Sequence, residues 1–202
     1  MKTSTIMLFR PVVLASNAPV KLDFVPPLQR RRLSRLQQHT FAVAYQITDG
    51  MLQNYRVVFA SQDGEDELTR KLVAAFTADG DVSPMRFSTS VYNAAPGLYS
   101  IFTKNEASYS ALAAGDETLE CSLLEALLAD QRTLWIYSEE TNNTPTLGVF
   151  ILPENDVIEG GILCQRSEGH IDAPQLTPSI IEAFFNGETS TLTSRYFTLT
   201  RC

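Results

Sequence analysis

The sequence is poor in the side chains from which metal sites and nucleophilic catalytic sites are commonly built. Its 202 residues include two histidines and three cysteines (Cys121, Cys164 and Cys202), without CxxC spacing. These are too few ligands for a recognisable zinc site, so we expect no bound metal. An odd number of cysteines indicates reduced thiols, and hence a cytoplasmic protein, rather than a disulfide framework.

Net positive charge and long apolar runs are also lacking. The net charge of −7 argues against a nucleic-acid partner, whose binding requires the neutralisation of phosphates. No apolar run approaches the about 20 residues of a transmembrane helix. The segment "STIMLFRPVVLAS" is interrupted by Arg10 and Pro11, and it predicts a strand rather than a signal peptide.

The remaining composition is that of a globular protein, with 44% hydrophobic and 19% charged residues. The length suits one domain with its own core, and we predict a single domain over residues 1–202. Strand and helix patterns alternate from residue 55 to residue 138. They are typical of an α/β fold with a mostly parallel sheet and packed helices, in which "RVVFASQDG" pairs near "YSALAAG".

Individual helices are predicted from apolar spacing and from their end signals. The segment 30–50 predicts one helix closed by Asp49-Gly50, and 66–78 predicts another that ends near Gly80. Ser90 is a candidate cap for a helix with Val91, Ala94, Leu98 and Ile101 on its apolar side. Beyond residue 155 the patterns weaken to a short helix in "PSIIEAFFNG" and a strand in "TSRYFTLTR".

The segment "SALAAGDETLE" (110–120) predicts the end of a strand, a sharp turn at Gly115 and the start of a helix. This geometry presents the nucleophile in several enzyme classes. Here the turn contains only Leu112, Ala113 and Ala114, none of which is a nucleophile. Asp116 and Glu117 leave open an enzyme of unrecognised chemistry, although acidic residues are also usual at a helix N-terminus.

Four segments in the middle of the chain resemble the N-terminal half of β-ketoacyl synthases. They are "RRRLSRLQQHTFAVA" (30–44), "VVFASQDGE" (57–65), "SPMRFSTSVYNAAPGLYSIF" (83–102) and "SALAAGDETLECSLLEALL" (110–128). They follow the family order within residues 28–140, and "FSTSVYNAAPGLYSI" is the most specific. The chain looks most similar to the short, chain-length-factor-like members of aryl polyene biosynthesis. The tail, residues 155–202, is left unmatched.

The resemblance implies half of a thiolase-like fold and a non-catalytic role. In active ketosynthases the strand before the turn ends with a cysteine, and that position corresponds to Leu112 here. An isobutyl group cannot supply the thiolate that attacks an acyl thioester. Cys121 lies inside the following helix and cannot replace it. The catalytic histidines of the family belong to its second half, so we expect His39 and His170 to be structural or surface residues.

A ketosynthase partner is the second implication of the resemblance. The chain would form a heterodimer with an active ketosynthase and elongate a polyene, polyketide or fatty-acid-like chain on an acyl carrier protein. It would bind no cofactor, because the phosphopantetheine arm of the carrier protein would reach the partner subunit. The alternative is a free-standing protein that binds an acyl chain or a carrier protein without any ketosynthase.

Two groups of residues are the candidates for these contacts. The partner interface or acyl cavity would include Phe87, Tyr92, Asn93, Leu98 and Leu112. The basic cluster of Arg30, Arg31, Arg32 and Arg35 either contacts the carrier protein or the partner, or is a solvated face.

A half-fold should also expose apolar helix faces, among them those with Leu98, Ile101, Leu119 and Leu123. We expect the tail to fold back over part of this surface. The ketosynthase would then cover the rest, through "YSALAAG" and "SVYNAAPGLYSIF".

Overall fold

The computed structural model describes residues 6–49, 54–141, 143–153, 162–166 and 172–201, so His170 and Cys202 lie outside the described residues. These described residues form eight strands and seven helices. In chain order they are β1 (Ile6–Leu14), α1 (Pro27–Arg30), α2 (Arg35–Thr48), β2 (Arg56–Ala60), α3 (Asp66–Asp79), α4 (Pro84–Ser90), α5 (Ala94–Thr103), β3 (Tyr109–Leu112), α6 (Thr118–Leu128), β4 (Thr133–Tyr137), β5 (Thr146–Leu152), β6 (Ile162–Arg166), α7 (Pro178–Phe185), β7 (Thr191–Thr193) and β8 (Phe197–Arg201).

The described strands form one sheet in the order β3-β2-β4-β5-β1-β6-β8-β7. The α/β class is confirmed, and so is the pairing of β2 with β3, in which Val57 lies opposite Tyr109. The prediction of a mostly parallel sheet is wrong. Strand β2 pairs in parallel with β3 and β4, whereas the other neighbours in the sheet are antiparallel. The short loop from β4 to β5 permits only an antiparallel hairpin, since parallel strands need a longer crossover.

Helices cover both faces of the sheet, because the central strands are apolar on both sides. Residues of β2 and β4 alternate between the two faces. Val57, Leu134 and Ile136 pack with Phe41 of α2 and Tyr99 of α5. Val58, Trp135 and Tyr137 pack on the opposite face with Leu123 of α6 and Phe184 of α7. This period of two is the reason why β2 and β4 were recognisable as buried strands.

Two predicted helices begin later than expected. In the segment 30–50, α2 starts at Arg35, because Ser34 and Gln37 form a reciprocal capping box; the helix ends at Asp49 as predicted. The helix expected to begin after Ser90 begins instead at Ala94, since Val91 is extended (ψ 148°) and separates α4 from α5.

The tail folds back over α6, as expected. Leu176, Ile181 and Phe184 share one buried cluster with Leu119 and Leu123. The predicted exposure of Leu119 and Leu123 is therefore absent from the folded chain. By contrast, Ile101 on α5 is 70% exposed, and Leu98 is half-buried. No helix within the described ranges has the length and apolarity to cross a membrane.

Candidate functional site at the edge of the sheet

The predicted strand-turn-helix elbow is present after β3, at the carboxyl ends of the parallel strands, where sites of α/β proteins usually form. Gly115 adopts a positive φ of 56° at the turn. The Thr118 hydroxyl accepts a hydrogen bond from the Ala114 backbone N–H (2.8 Å) and donates one to the Gly115 carbonyl (2.7 Å). Leu112 is half-buried, and residues 113–116 are exposed. The strand-turn-helix geometry is thus present, and its strand ends in an aliphatic side chain.

Backbone donors beside the elbow are occupied by a carboxylate of the chain itself. Glu139, after β4, accepts hydrogen bonds from the Ser61 hydroxyl (2.8 Å) and from the backbone N–H groups of Gln62 and Asp63. The Gly64 N–H donates to the Ser61 hydroxyl oxygen (2.9 Å). These amides are therefore engaged and do not form an open oxyanion-binding site.

Other reactive groups are poorly placed for catalysis at the elbow. Burial and the carboxylates of Glu117 and Glu120 raise the pKa of the Cys121 thiol, which disfavours the thiolate. His39 is buried in α2, and burial together with Arg35 lowers its pKa. Helices α2 and α6 pack on opposite faces, so the sheet separates this imidazole from the thiol.

The acidic residues of the elbow itself are Asp116 and Glu117. Glu117 forms an ion pair with Arg195 at 2.9 Å, and Asp116 is exposed. Within the part of the chain that the structure describes, no group of three or more His, Cys, Asp or Glu side chains is arranged to hold a metal ion.

Three of the predicted interface residues are brought together around β3. The Tyr92 hydroxyl donates to the Leu112 carbonyl at 3.3 Å, and the Asn93 amide donates to the Tyr109 hydroxyl at 3.4 Å. The Tyr92 ring lies so close to Gly64 that an added Cβ there would be 3.0 Å from the ring. The segment before α5 is thereby fixed against the edge strand.

Phe87 and Leu98, the other two predicted interface residues, lie on the flanking helices rather than at the elbow. Phe87 is 57% exposed on α4, and Leu98 is half-buried on α5. Tyr109 and Gly64 were not among the predicted site residues. The sequence signals were that Gly64 lies within a segment that carries the family resemblance, and that Tyr109 begins the strand "YSALAAG" expected to contact the partner.

One side of β3 is open. The carbonyls of Ser108 and Leu112 accept hydrogen bonds from the backbone N–H groups of Val57 and Ser61 on the β2 side. Since backbone groups alternate along a strand, those of Tyr109 and Ala111 point away from β2. No other described strand pairs with β3. Such an edge is able to accept another strand.

The basic cluster divides into two anchoring and two exposed arginines. Arg30 forms an ion pair with Asp23 (3.5 Å) and donates to the Val25 carbonyl (3.1 Å), and Arg35 donates to the Ser16 carbonyl. These two side chains anchor the loop between β1 and α1. Arg31 and Arg32 are exposed and line a groove beside α3 and α4.

A buried carboxyl group lies behind this groove and was not predicted. Glu65 is 3% exposed, and its Oε1 accepts a hydrogen bond from the Ser34 hydroxyl at 2.7 Å. Its Oε2 has no hydrogen-bond partner among the described residues. Burial, and secondarily the charge of Glu140, raise the pKa of Glu65 to about 7. A glutamate just before a helix is usually solvent-exposed, so nothing in the sequence indicated that Glu65 is buried.

Known proteins resemble both the sequence and the fold. The family model described as the β-ketoacyl synthase N-terminal domain matches residues 10–143. A solved structure of the ketosynthase ApeO in complex with its chain length factor ApeC, from Xenorhabdus doucetiae, matches with a TM-score of 0.71. The identity is 16%, and the match covers 98% of this chain and 98% of that chain. No curated protein sequence matches.

The two similarities differ in what they show. At 16% identity the structural match shows the fold alone. Because it covers 98% of this chain, the match includes the tail, residues 155–202, which the family resemblance had left unmatched. The family match extends over more than half of the chain, in agreement with the resemblance carried by residues 28–140. The chain therefore belongs to the β-ketoacyl synthase family, through that family's N-terminal domain.

Proposed function

We propose that the chain is a non-catalytic, chain-length-factor-like subunit that pairs one-to-one with an active β-ketoacyl-carrier-protein synthase in the cytoplasm. The observation that carries this proposal is the strand-turn-helix elbow, whose strand ends in half-buried Leu112, the residue that the family resemblance aligns with the nucleophile. The partner supplies the cysteine and both histidines and performs decarboxylative condensation.

The acyl chain reaches the complex on an acyl carrier protein. In this scheme the phosphopantetheine arm enters the partner subunit, and the present chain needs no cofactor. Leu112, Tyr92 and Asn93 close the side of the acyl cavity that this chain contributes. Their bulk limits the length of the growing polyene, polyketide or fatty-acid-like chain.

The surface around β3 is suited to a protein partner. The outward backbone groups of Tyr109 and Ala111 offer hydrogen bonds to an added strand. Ile101 on α5 and Phe87 on α4 are 70% and 57% exposed, and a partner bound at this surface would remove both side chains from water. The similar structure, a ketosynthase in complex with its chain length factor, is consistent with this partner class.

Co-expression with candidate ketosynthases of the same organism tests the proposal. We expect a one-to-one heterodimer in size-exclusion chromatography with light scattering. Ile101→Asp should dissociate it, because a charge would be placed in an apolar contact. Leu128→Asp is the matched control, since Leu128 is 56% exposed on α6, away from β3, and should leave the complex intact.

A second variant tests the edge strand directly. Ala111→Pro removes a backbone N–H that points away from β2, so the chain should fold while strand addition is blocked. A circular-dichroism spectrum like that of the unmodified chain, together with loss of the heterodimer, is expected. A chain that stays monomeric beside its ketosynthase would instead favour the free-standing binding protein.

A further inference from the structure

A groove of about 630 Å³ runs between the α1–α2 turn and the α3–α4 pair. Its volume is in the range of small-molecule sites. The apolar side chains that line it come from the α1–α2 turn and from α3, α4 and α5: Leu33, Leu68, Met85, Leu98 and Phe102. The floor is therefore suited to an apolar chain rather than to a compact polar molecule.

The rim of the groove is cationic, in a protein whose net charge is −7. Five cationic side chains line it: Arg31, Arg32, Arg35, Lys71 and Arg86. Two carboxylates, Glu67 and Glu140, also line it. Glu67 forms an ion pair with Lys71, and Glu140 accepts the backbone N–H of Glu67 at 2.8 Å.

Three of these cations are available to a ligand. Within the described residues, the side chains of Arg31, Arg32 and Arg86 form no ion pair and are exposed. Guanidinium groups bind carboxylates and phosphates through two parallel hydrogen bonds. A groove with an apolar floor and unpaired arginines at its rim is complementary to a molecule with an apolar chain and an anionic head.

We infer that this groove binds an anionic amphiphile with a single acyl chain and a carboxylate or phosphate head. The chain of the ligand lies along Met85, Leu98 and Phe102, and the head is held by Arg31, Arg32 and Arg86. The site is separate from the elbow, and the inference does not rest on pairing with a ketosynthase. A free fatty acid and a chain carried on the phosphate-containing arm of a carrier protein share this chemistry.

Equilibrium dialysis of the purified chain with radiolabelled laurate tests the site. We expect saturable one-to-one binding. Arg31→Glu/Arg86→Glu should weaken it at least about tenfold, since two head-group contacts become repulsive. Met85→Asp should weaken binding to a similar degree, because it places a charge among the apolar side chains that line the groove. The control Lys21→Glu/Lys104→Glu makes the same charge change at residues outside the groove and should bind laurate as the unmodified chain does.

A series of ligands separates the contribution of the anionic head group to binding from that of the ligand's apolar chain. 1-Dodecanol has the same apolar chain without a charge and should bind at least about tenfold more weakly than laurate, whereas inorganic phosphate should not compete. Non-saturable uptake, equal affinity for dodecanol, or unchanged affinity of the Arg31→Glu/Arg86→Glu variant would overturn the inference.

The source of the ligand is identified by competition. Displacement of laurate by lauroyl-carrier protein, but not by the unacylated carrier protein, identifies a carrier-bound chain as a source, whereas absence of displacement identifies a free acid. A contrary outcome is that the unacylated carrier protein binds as tightly as the acylated form, with its binding abolished by the same variants. In that case the groove is a protein-docking surface and the inference is wrong.

Discussion

Glu65→Gln should stabilise the protein above neutral pH. Burial raises the pKa of Glu65 from its ordinary value of 4.5 to about 7 in the native state. Between these pH values the native carboxyl group keeps a proton that the unfolded chain has lost, so the native state binds more protons. The free energy of unfolding therefore decreases as the pH rises from 4.5 to 7, by about 3 kcal/mol in total. Glutamine resembles the protonated acid and removes this loss.

Urea unfolding at several pH values measures the effect, with the single tryptophan, fully buried Trp135, as the fluorescent probe. At pH 8 the variant should be more stable than the unmodified chain by up to about 3 kcal/mol, and at pH 4 the two should be nearly equal. Glu188→Gln, at an exposed position, is the control, and it should leave the free energy of unfolding unchanged at both pH values. A variant with the same pH dependence as the unmodified chain would refute the reasoning.

Three further changes have expected outcomes. Arg195→Ala should lower the urea midpoint more than Arg70→Ala, because Arg195 pairs with Glu120, which is 1% exposed and would be left buried without its cation, whereas the ion pair of Arg70 is on the surface. Ser34→Ala should cost at least about 1 kcal/mol of unfolding free energy, measured in the same way, because it removes the cap of α2 and also the hydrogen bond from the Ser34 hydroxyl to the buried carboxyl group of Glu65. Leu112→Cys should form no adduct with an acyl-carrier thioester in intact-protein mass spectrometry, because His39, the one histidine among the described residues, is in α2 on the other face of the sheet from α6; a stoichiometric adduct would contradict this.

The elements of the fold were predictable where local signals coincide with packing. Strands β2 and β4 are apolar on both faces and are bounded by turns, so their burial followed from composition. The direction of the strands was harder to predict. Strand patterns do not encode polarity, and the polar loop between β4 and β5 was the one hint of a hairpin. Residues 155–202 gave weak patterns, although α7 and β8 are present as expected.

The candidate site was predictable only where neighbouring residues in sequence form it. The elbow follows from Gly115 and from the switch between strand and helix patterns. The contact of Tyr92 with Leu112 spans 20 residues and was not predicted, although the family resemblance had placed both residues in one candidate interface or acyl cavity. Which arginines of the cluster are anchored depends on the path of the loop before α1. The groove is assembled from the α1–α2 turn and helices α3, α4 and α5. Long-range packing of this kind has no signature in a single sequence.

The position of β1 inside the sheet has a consequence for synthesis on the ribosome. This first strand pairs with β5 on one side, where Leu8 lies opposite Ile151, and with β6 on the other. At usual elongation rates, roughly 10 to 30 s separate the emergence of β1 from that of β5. During that interval an apolar segment has neither of its sheet neighbours. Pairings so distant in sequence also slow folding. The nascent chain should therefore depend on holding factors during translation, and truncated products that end before β5 should aggregate rather than accumulate as a folded α/β core.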